Sequence, residues 1–462
     1  MNFAPKYKIL TLFLLFVFLA TTGLQCKITQ PSIDELEKKE LNIWGVWETQ
    51  NDLSKIIQDF KSNHPNVNIK YRQFRYSEYE NQILNAMANR VEPDIIFIHN
   101  TWIGSYLNKI VNMPPAVETT TISLEGAIKK EQVIRTETKA TPSLKHIKDT
   151  YLPVVYDDVV KINNKNESLV YSLPLYVDSL VLFYNKDILE NSGILNAPIT
   201  WDEFQTDVKM ITRQDENGKI IQSGAALGVA NNIERYFDIL SLLMMQLGSS
   251  MVDGKSITFG ISQKGSSSPG ADALRFYTDF ASPNKDVYTW NKSMENSIDE
   301  FASGKAAFMF GYSYHIDQIR KKNPKLNFDI GKAPQARKDK EVNYASYWTP
   351  VVLNTSKNQD AAWDFITYAS SPKAADSFLE KSKRPPAIKE YLKKYEEDFD
   401  LAPFVGQLLT AKSWYRGNKA NDAELAFERM INKILDVDEE LKTDKIFGEA
   451  AQAAAAEIQR GY

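Results

Sequence analysis

The stretch SLPLYVDSLVLFYNKD, residues 172–187, decides how the rest of the chain is read. Leu180–Tyr184 is an apolar run, long enough for one strand buried on both faces. Pro174 sits just ahead of it, where a missing N–H does little harm. Asn185, Lys186 and Asp187 end the run and open a short helix over Ile188–Asn191, which Gly193 closes. One carboxylate, Asp178, stands where the run begins. An acid there needs a partner, because burying a lone charge is costly.

Outward from this stretch, 462 residues are too many for one ordinary core and enough for two domains. Apolar residues make up 43% and charged residues 25%, the balance of a globular protein. The net charge of −4 comes with both signs well mixed. With no basic stripe and no aromatic–basic interleaving, no nucleic-acid partner is expected. Aromatics at 11% supply flat apolar surface with polar tips. The histidines His64, His99, His146 and His315 lack metal spacing, so neither metal nor other cofactor is expected. Motif signatures for a serine hydrolase elbow, a zincin helix or a P-loop are absent, and the chain is read as a non-enzyme. Carboxylates are too numerous for counting alone to exclude a glycosidase pair.

Lys6 and Lys8 precede an apolar segment, Ile9–Ala20, which has signal-peptide length and is short for a full span. The one cysteine, Cys26, follows closely and has no internal disulfide partner. A cysteine in this position resembles a bacterial lipoprotein signal, although Gly23 and Gln25 stand where a leucine and a small residue are usual. Residues 1–26 are therefore expected to be a lipoprotein signal with Cys26 as the lipid anchor, and 27–40 a tether. An uncleaved anchor and ordinary cleavage are the alternatives. Each of these puts the body outside the cytoplasm, at the bacterial cell surface or in the periplasm.

In chain order, LNIWGVWE (41–48) reads as a first strand, followed by a helix with Leu53, Ile56, Ile57 and Phe60 at helical spacing and a second strand over Val67–Tyr71. Ser77 with Glu80, Thr200 with Glu203 and Ser297 with Glu300 each have capping-box spacing. EPDIIFIHNTW (92–102) reads as a buried parallel strand and its exit loop, where open α/β sheets bind ligands. Residues 112–150, rich in Thr, Lys and Glu, show no clear period. Later come FASGKAAFMFGYSY (301–314), NFDIGKAP (327–334), SKNQDAAWDFITYASSP (356–372) and Arg384–Pro386.

These phrases, in this order, resemble the family 1 extracellular solute-binding proteins, the maltose-binding-protein-like sugar-capturing subunits of ABC importers. The resemblance runs from about Leu41 to Gln459. It implies an α/β, two-lobe periplasmic-binding-protein-like fold of type II, each lobe a mixed sheet flanked by helices, joined by three crossing segments. One lobe takes 41–178 plus 328–382 and the other 179–327 plus 383–462. It also implies that the stretch at 172–187 is the first crossing and that Asp178 faces the ligand cleft. An N-cap or an ion-pair acid is the alternative role for Asp178.

A sugar ring has an apolar C–H face and a rim of hydroxyls. Binding one takes a flat aromatic under the face, with carboxylates, amides or Arg on the rim. Loops at strand ends repeatedly carry these types: Trp44, Trp47 and Glu48; His99, Asn100 and Trp102; Tyr176 and Asp178; Glu234, Arg235 and Tyr236; Tyr312 and Tyr314; Trp348; Arg384; Trp414, Tyr415 and Arg416. The residues proposed as ligand-binding are Trp47, Glu48, Asn100, Trp102, Tyr176, Asp178, Glu234, Tyr236, Tyr312, Tyr314, Trp348, Arg384, Trp414 and Arg416. The family pattern matches Trp47, Glu48, Asp178, Glu234, Tyr236, Trp348 and Trp414 among them. Core packing is the competing role for any single aromatic, and Trp201, Trp290 and Trp363 are assigned to structure. The expected function is capture of a sugar or oligosaccharide between the lobes by a monomer that delivers it to an ABC permease. A peptide, polyol or polyamine binder, or a secreted carbohydrate-active enzyme or adhesin, is the alternative.

Overall fold

The computed structural model describes residues 36–126, 130–262 and 267–462. The expectations for residues 1–26, Cys26 included, and for 27–35 of the tether lie outside the described residues, while the first strand starts at Lys39, inside the expected tether. Two five-stranded sheets organise the chain. In the first, Lys39–Gly45 pairs in parallel with Val67–Gln73 and Ile95–His99, and Trp348–Leu353 lies antiparallel between Ile95–His99 and Ile110–Val111. Ile95–His99 is buried throughout, as a central strand covered on both faces is. The first helix, Gln50–Asn63, starts at a reciprocal cap. Thr49 Oγ1 accepts from the Asp52 N–H at 3.2 Å, and Asp52 Oδ2 accepts from the Thr49 N–H at 2.8 Å. Leu53, Ile56 and Phe60 form its buried stripe.

The second sheet runs Arg213–Gln214, Ile220–Ala225, Ala306–Gly311, Val181–Asn185, Phe328–Gly331. Val181–Asn185, the apolar run of the opening stretch, is antiparallel to both its neighbours. Asn185 caps the helix Lys186–Asn191 by accepting from the Ile188 N–H, and Gly193 takes the left-handed φ of 74° that ends it.

Between the sheets lies a small third one, Ala411–Lys412, Asn343–Ser346 and Asp178–Ser179. Beside it Tyr176 bridges to Pro386, and Tyr151 to Ile388. The crossings therefore run at Asp178–Ser179, at Asn343–Ser346 and near Pro386. The second crossing is later than the sequence placed it. Residues 328–331, expected in the first lobe, pair with Val181–Asn185 in the second sheet. The alternation in NFDIGKAP marks a strand, but nothing in it says which neighbour the strand joins.

Residues 116–125 and 131–140 form a ten-rung antiparallel hairpin, followed by the helix Leu144–Thr150. The hairpin's base is tied to the helix Gln359–Ala369, where Asp364 accepts from Thr119 Oγ1 (2.5 Å) and Lys139 Nζ (3.0 Å) and sits 3.1 Å from His64 Nε2. Of the other caps, Thr200 accepts from the Glu203 N–H at 3.3 Å, while Glu203 reaches back to the Ile199 N–H. Neither of the remaining two boxes forms. The helix at 76–89 is capped at Arg75 through Glu78, and the helix Ser297–Ala302 is capped by Asn296.

Candidate functional site

The parallel strands of the first sheet all end at one edge, and the loops leaving them carry Trp47, Tyr76 and Trp102, with His99 as the last strand residue. The loops leaving Ile220–Ala225 and Ala306–Gly311 of the second sheet carry Glu234, Arg235, Tyr314 and His315. These edges face one another across the crossings and enclose a chamber of about 220 Å³. The crossings add Tyr176, Asp178, Ser346 and Tyr347, and Trp348 stands beside them. Gln318 and Glu424 complete the second-lobe wall.

Rings dominate the lining. Trp47 of the first lobe stacks on Tyr314 of the second at 4.7 Å between centroids and 21° between planes, with Tyr76 at 6.1 Å on its other side. Trp348 is wedged edge-on between Trp102 (5.4 Å), Tyr76 (6.1 Å) and His99 (6.0 Å). The polar groups are held in place by the protein itself. Asp178 Oδ2 accepts from the Ser313 N–H (2.9 Å) and Oγ (2.6 Å), and its Oδ1 accepts from the Ser179 N–H (2.9 Å). Burial raises Asp178 to about 6, against the pull of Ser313 and Arg384. Both its oxygens are engaged, so the acid straps the first crossing to the second-lobe loop while lining the chamber.

Arg235 has a left-handed backbone, φ 59°. Such strain in a bulky residue persists only where its surroundings hold it. Here its Nε and one terminal nitrogen donate to Asp238 at 2.8 and 3.0 Å, with Glu424 at 3.6 Å. Burial opposes its charge, and these acids outweigh that and hold it protonated. Burial pushes both chamber histidines down to about 3, so they are neutral. His315 Nδ1 accepts from the Tyr312 N–H at 2.8 Å, which assigns the proton to Nε2 and leaves it as a donor. His99 is fixed between Thr101 Oγ1 (2.7 Å) and Ser346 Oγ (2.8 Å).

Of the residues proposed from sequence, Trp47, Trp102, Tyr176, Asp178, Glu234, Tyr314 and Trp348 line the chamber. The other seven do not. Trp414, 3% exposed, stacks on Phe237 and Phe427 and donates to Ser241 Oγ, which makes it a second-lobe core residue. Tyr312 is fully buried and donates to Asp238. Tyr236 donates to the Glu424 carbonyl. Asn100 and Arg416 both donate to Asp158, a buried carboxylate that also takes Tyr347 and Ser413 and so ties the lobes together beside the crossings. Glu48 is turned inward beneath Trp47, 1% exposed. Neither of its carboxylate oxygens has a well-aligned hydrogen bond. Arg384 lies 5.7 Å from the rings of Tyr176 and Tyr314, donates to Ser313 Oγ, and faces a second cavity on the far side of Tyr314.

His99 and Arg235 were visible as strand-end residues. Tyr76, His315, Gln318, Ser346, Tyr347 and Glu424 were missed. Tyr76 leaves a parallel strand as Trp47 does, a signal that would have found it. Glu424 arrives on the helix Ala420–Leu435, far along the chain, and carries no such signal. Among the described residues no cluster of His, Cys, Asp and Glu has the makings of a metal site, and no helix is long and apolar enough to cross a membrane.

The family model described as bacterial extracellular solute-binding protein matches residues 47–376. A binding protein of Brucella abortus is 25% identical over 251 residues, 52% of this chain and 57% of its own length, so the match spans little more than half of that relative. The galactooligosaccharide-binding protein of Bacillus subtilis is 20% identical over 356 residues, covering 76% of this chain and 73% of that one. Among solved structures, the GacH receptor of Streptomyces glaucescens shares the fold with a TM-score of 0.68 at 19% identity, over 92% of this chain and 98% of the receptor.

Proposed function

Because the chain belongs to the bacterial extracellular solute-binding proteins, we propose that it captures a sugar in the interlobe chamber and delivers it to the membrane subunits of an ABC importer. The observation that carries this reading is the chamber wall. Flat rings from both lobes and from the crossings surround a few polar groups whose directions are fixed, the combination that a ring with two apolar faces and a hydroxyl rim requires. His315 Nε2–H, Arg235 and Glu234 face the rim. The aromatics outnumber the acids Asp178, Glu234 and Glu424, which speaks against a polyamine. In the same direction, the Bacillus relative is named for galactooligosaccharides and the Streptomyces receptor was solved with acarbose.

The mechanism is binding and hinge closure. A solute touching both walls makes contacts present only when the lobes meet, and so shifts the population toward the closed form. That form docks on the permease, while ATP hydrolysis belongs to a separate subunit. Cys26 would tether the body to the membrane, which blocking lipidation with a Cys26→Ser variant tests through loss of fatty-acid labelling.

The binding reading is tested by thermal shift of the chain lacking residues 1–26 against a panel of saccharides. A ligand at a hundred times its Kd adds about 2.7 kcal/mol of stability. A rise in Tm with a sugar, lost in Trp47→Ala, is the expected result. A rise with peptides or polyamines and none with sugars would overturn the substrate class and leave the fold untouched.

A further inference from the structure

We infer that the chamber is made for a single sugar ring, and that the Trp47–Tyr314 stack sets this limit. The inference rests on the sugar reading above and narrows it to monosaccharides. Small-molecule pockets run to roughly 300–1,000 Å³, and this chamber is smaller, at about 220 Å³. A chamber below that range takes one ring with its hydroxyls before it takes a chain.

Both ends of the chamber are walled. At one end Trp47 and Tyr314 lie 4.7 Å apart and nearly parallel. A sugar ring held between two such rings needs about twice the ~3.5–4 Å of one carbon contact, so nothing passes between them as they stand. Neither ring is a loose flap. Tyr314 is backed by His315 at 4.2 Å and Tyr312 at 6.0 Å, and Trp47 by Tyr76. Beyond the stack lies a separate cavity of about 520 Å³. Apart from the stacked pair it holds no aromatic, and charged groups such as Asp317, Arg320, Lys381 and Asp398 line it. It offers a further sugar unit no flat surface of its own. At the other end Trp102 is the wall, stacked on Tyr106 (6.4 Å, 9°); beyond that pair lies another cavity, of about 360 Å³, where Asn421 of the second lobe donates to Glu80 of the first at 2.7 Å. A glycosidic substituent on the bound ring therefore meets a wall in either direction.

The test is isothermal titration of the purified protein with glucose, galactose, mannose and N-acetylglucosamine, each beside its own disaccharide and trisaccharide. The monosaccharide is expected to bind at least about tenfold more tightly than its disaccharide, about 1.4 kcal/mol. Tyr314→Ala, which removes one leaf of the stack, is expected to narrow that ratio. A disaccharide or trisaccharide that binds the unmodified protein as tightly as its monosaccharide would overturn the inference. If no saccharide binds and another solute does, the sugar reading falls, and the size limit stands or falls on whether that solute exceeds one hexose.

Discussion

Replacing Glu48 with glutamine isolates the cost of one buried charge. Glu48 follows Trp47 in the first cleft loop and is sealed from solvent, with no well-aligned hydrogen bond to either carboxylate oxygen. Burial raises its pKa from 4.5 to about 7, and its own backbone N–H, the Arg384 charge and the Tyr176 hydroxyl relieve only part of that. In the unfolded chain the group ionises near 4.5, so between there and about 7 the folded protein holds a proton that the unfolded chain has lost. Stability from this site is therefore complete below pH 4.5, falls as pH rises through the window, and stays low above pH 7. Each tenfold in a proton equilibrium is about 1.4 kcal/mol, so the shift withholds about 3 kcal/mol from the folded state at pH 8. Glutamine fills the same space and carries no charge. The assay is urea unfolding of both proteins from pH 4 to pH 8, read as the difference in stability so that other groups cancel. The glutamine protein should gain on the parent by about 3 kcal/mol between the ends of that range. A difference flat across the range would mean that Glu48 ionises freely in the folded protein, and the reasoning from its burial would be wrong.

Other outcomes follow from single contacts. A Cβ on Gly104 would fall well inside van der Waals distance of the carbonyl oxygens of Arg416 and Gly417, which belong to the opposite lobe. Gly104→Ala should hold the lobes apart, weaken ligand binding about tenfold or more and enlarge the ligand-bound radius of gyration in solution scattering. An unchanged radius and affinity would show that the backbones yield. Trp414→Ala should cost about 3–5 kcal/mol of stability, as a large core truncation does, with ligand affinity in the surviving folded protein unchanged. Asp364 is buried, which by itself would raise it, yet the adjoining His64, the Thr119 hydroxyl and the charge of Lys139 bring it down to about 2. Its contribution to stability should be present above pH 3.8 and disappear as pH falls toward 2, and Asp364→Asn should flatten that limb of the acid-unfolding curve.

Much of the architecture could be read because several phrases, none specific alone, stand in the order that the solute-binding family shows. An apolar run bounded by Pro174 and Asn185 allows few settings, and Val181–Asn185 fills the expected one. The hairpin at 116–140 stayed unreadable because its outer half is solvated on both faces, which erases the period that marks a strand. Half of the proposed site residues line the chamber, and the misplacements share a cause. Aromatics at strand ends serve the core as readily as a ligand, and Trp414 and Tyr312 went to the core. Asn100 and Arg416 have the side chains of sugar-binding residues, but the buried Asp158 claims both. Composition cannot reveal a competing partner that lies more than fifty positions away in the chain.

The first sheet carries a consequence in time as well as space. Its strand Trp348–Leu353 inserts between Ile95–His99 and Ile110–Val111 only after the whole second sheet has been made. Pairings so distant in sequence are slow to form, because the loop must close before the contact rewards it. A chain leaving the ribosome thus stays short of this inner antiparallel strand until most of its length exists. Such delay leaves the two lobes to reach their final form together.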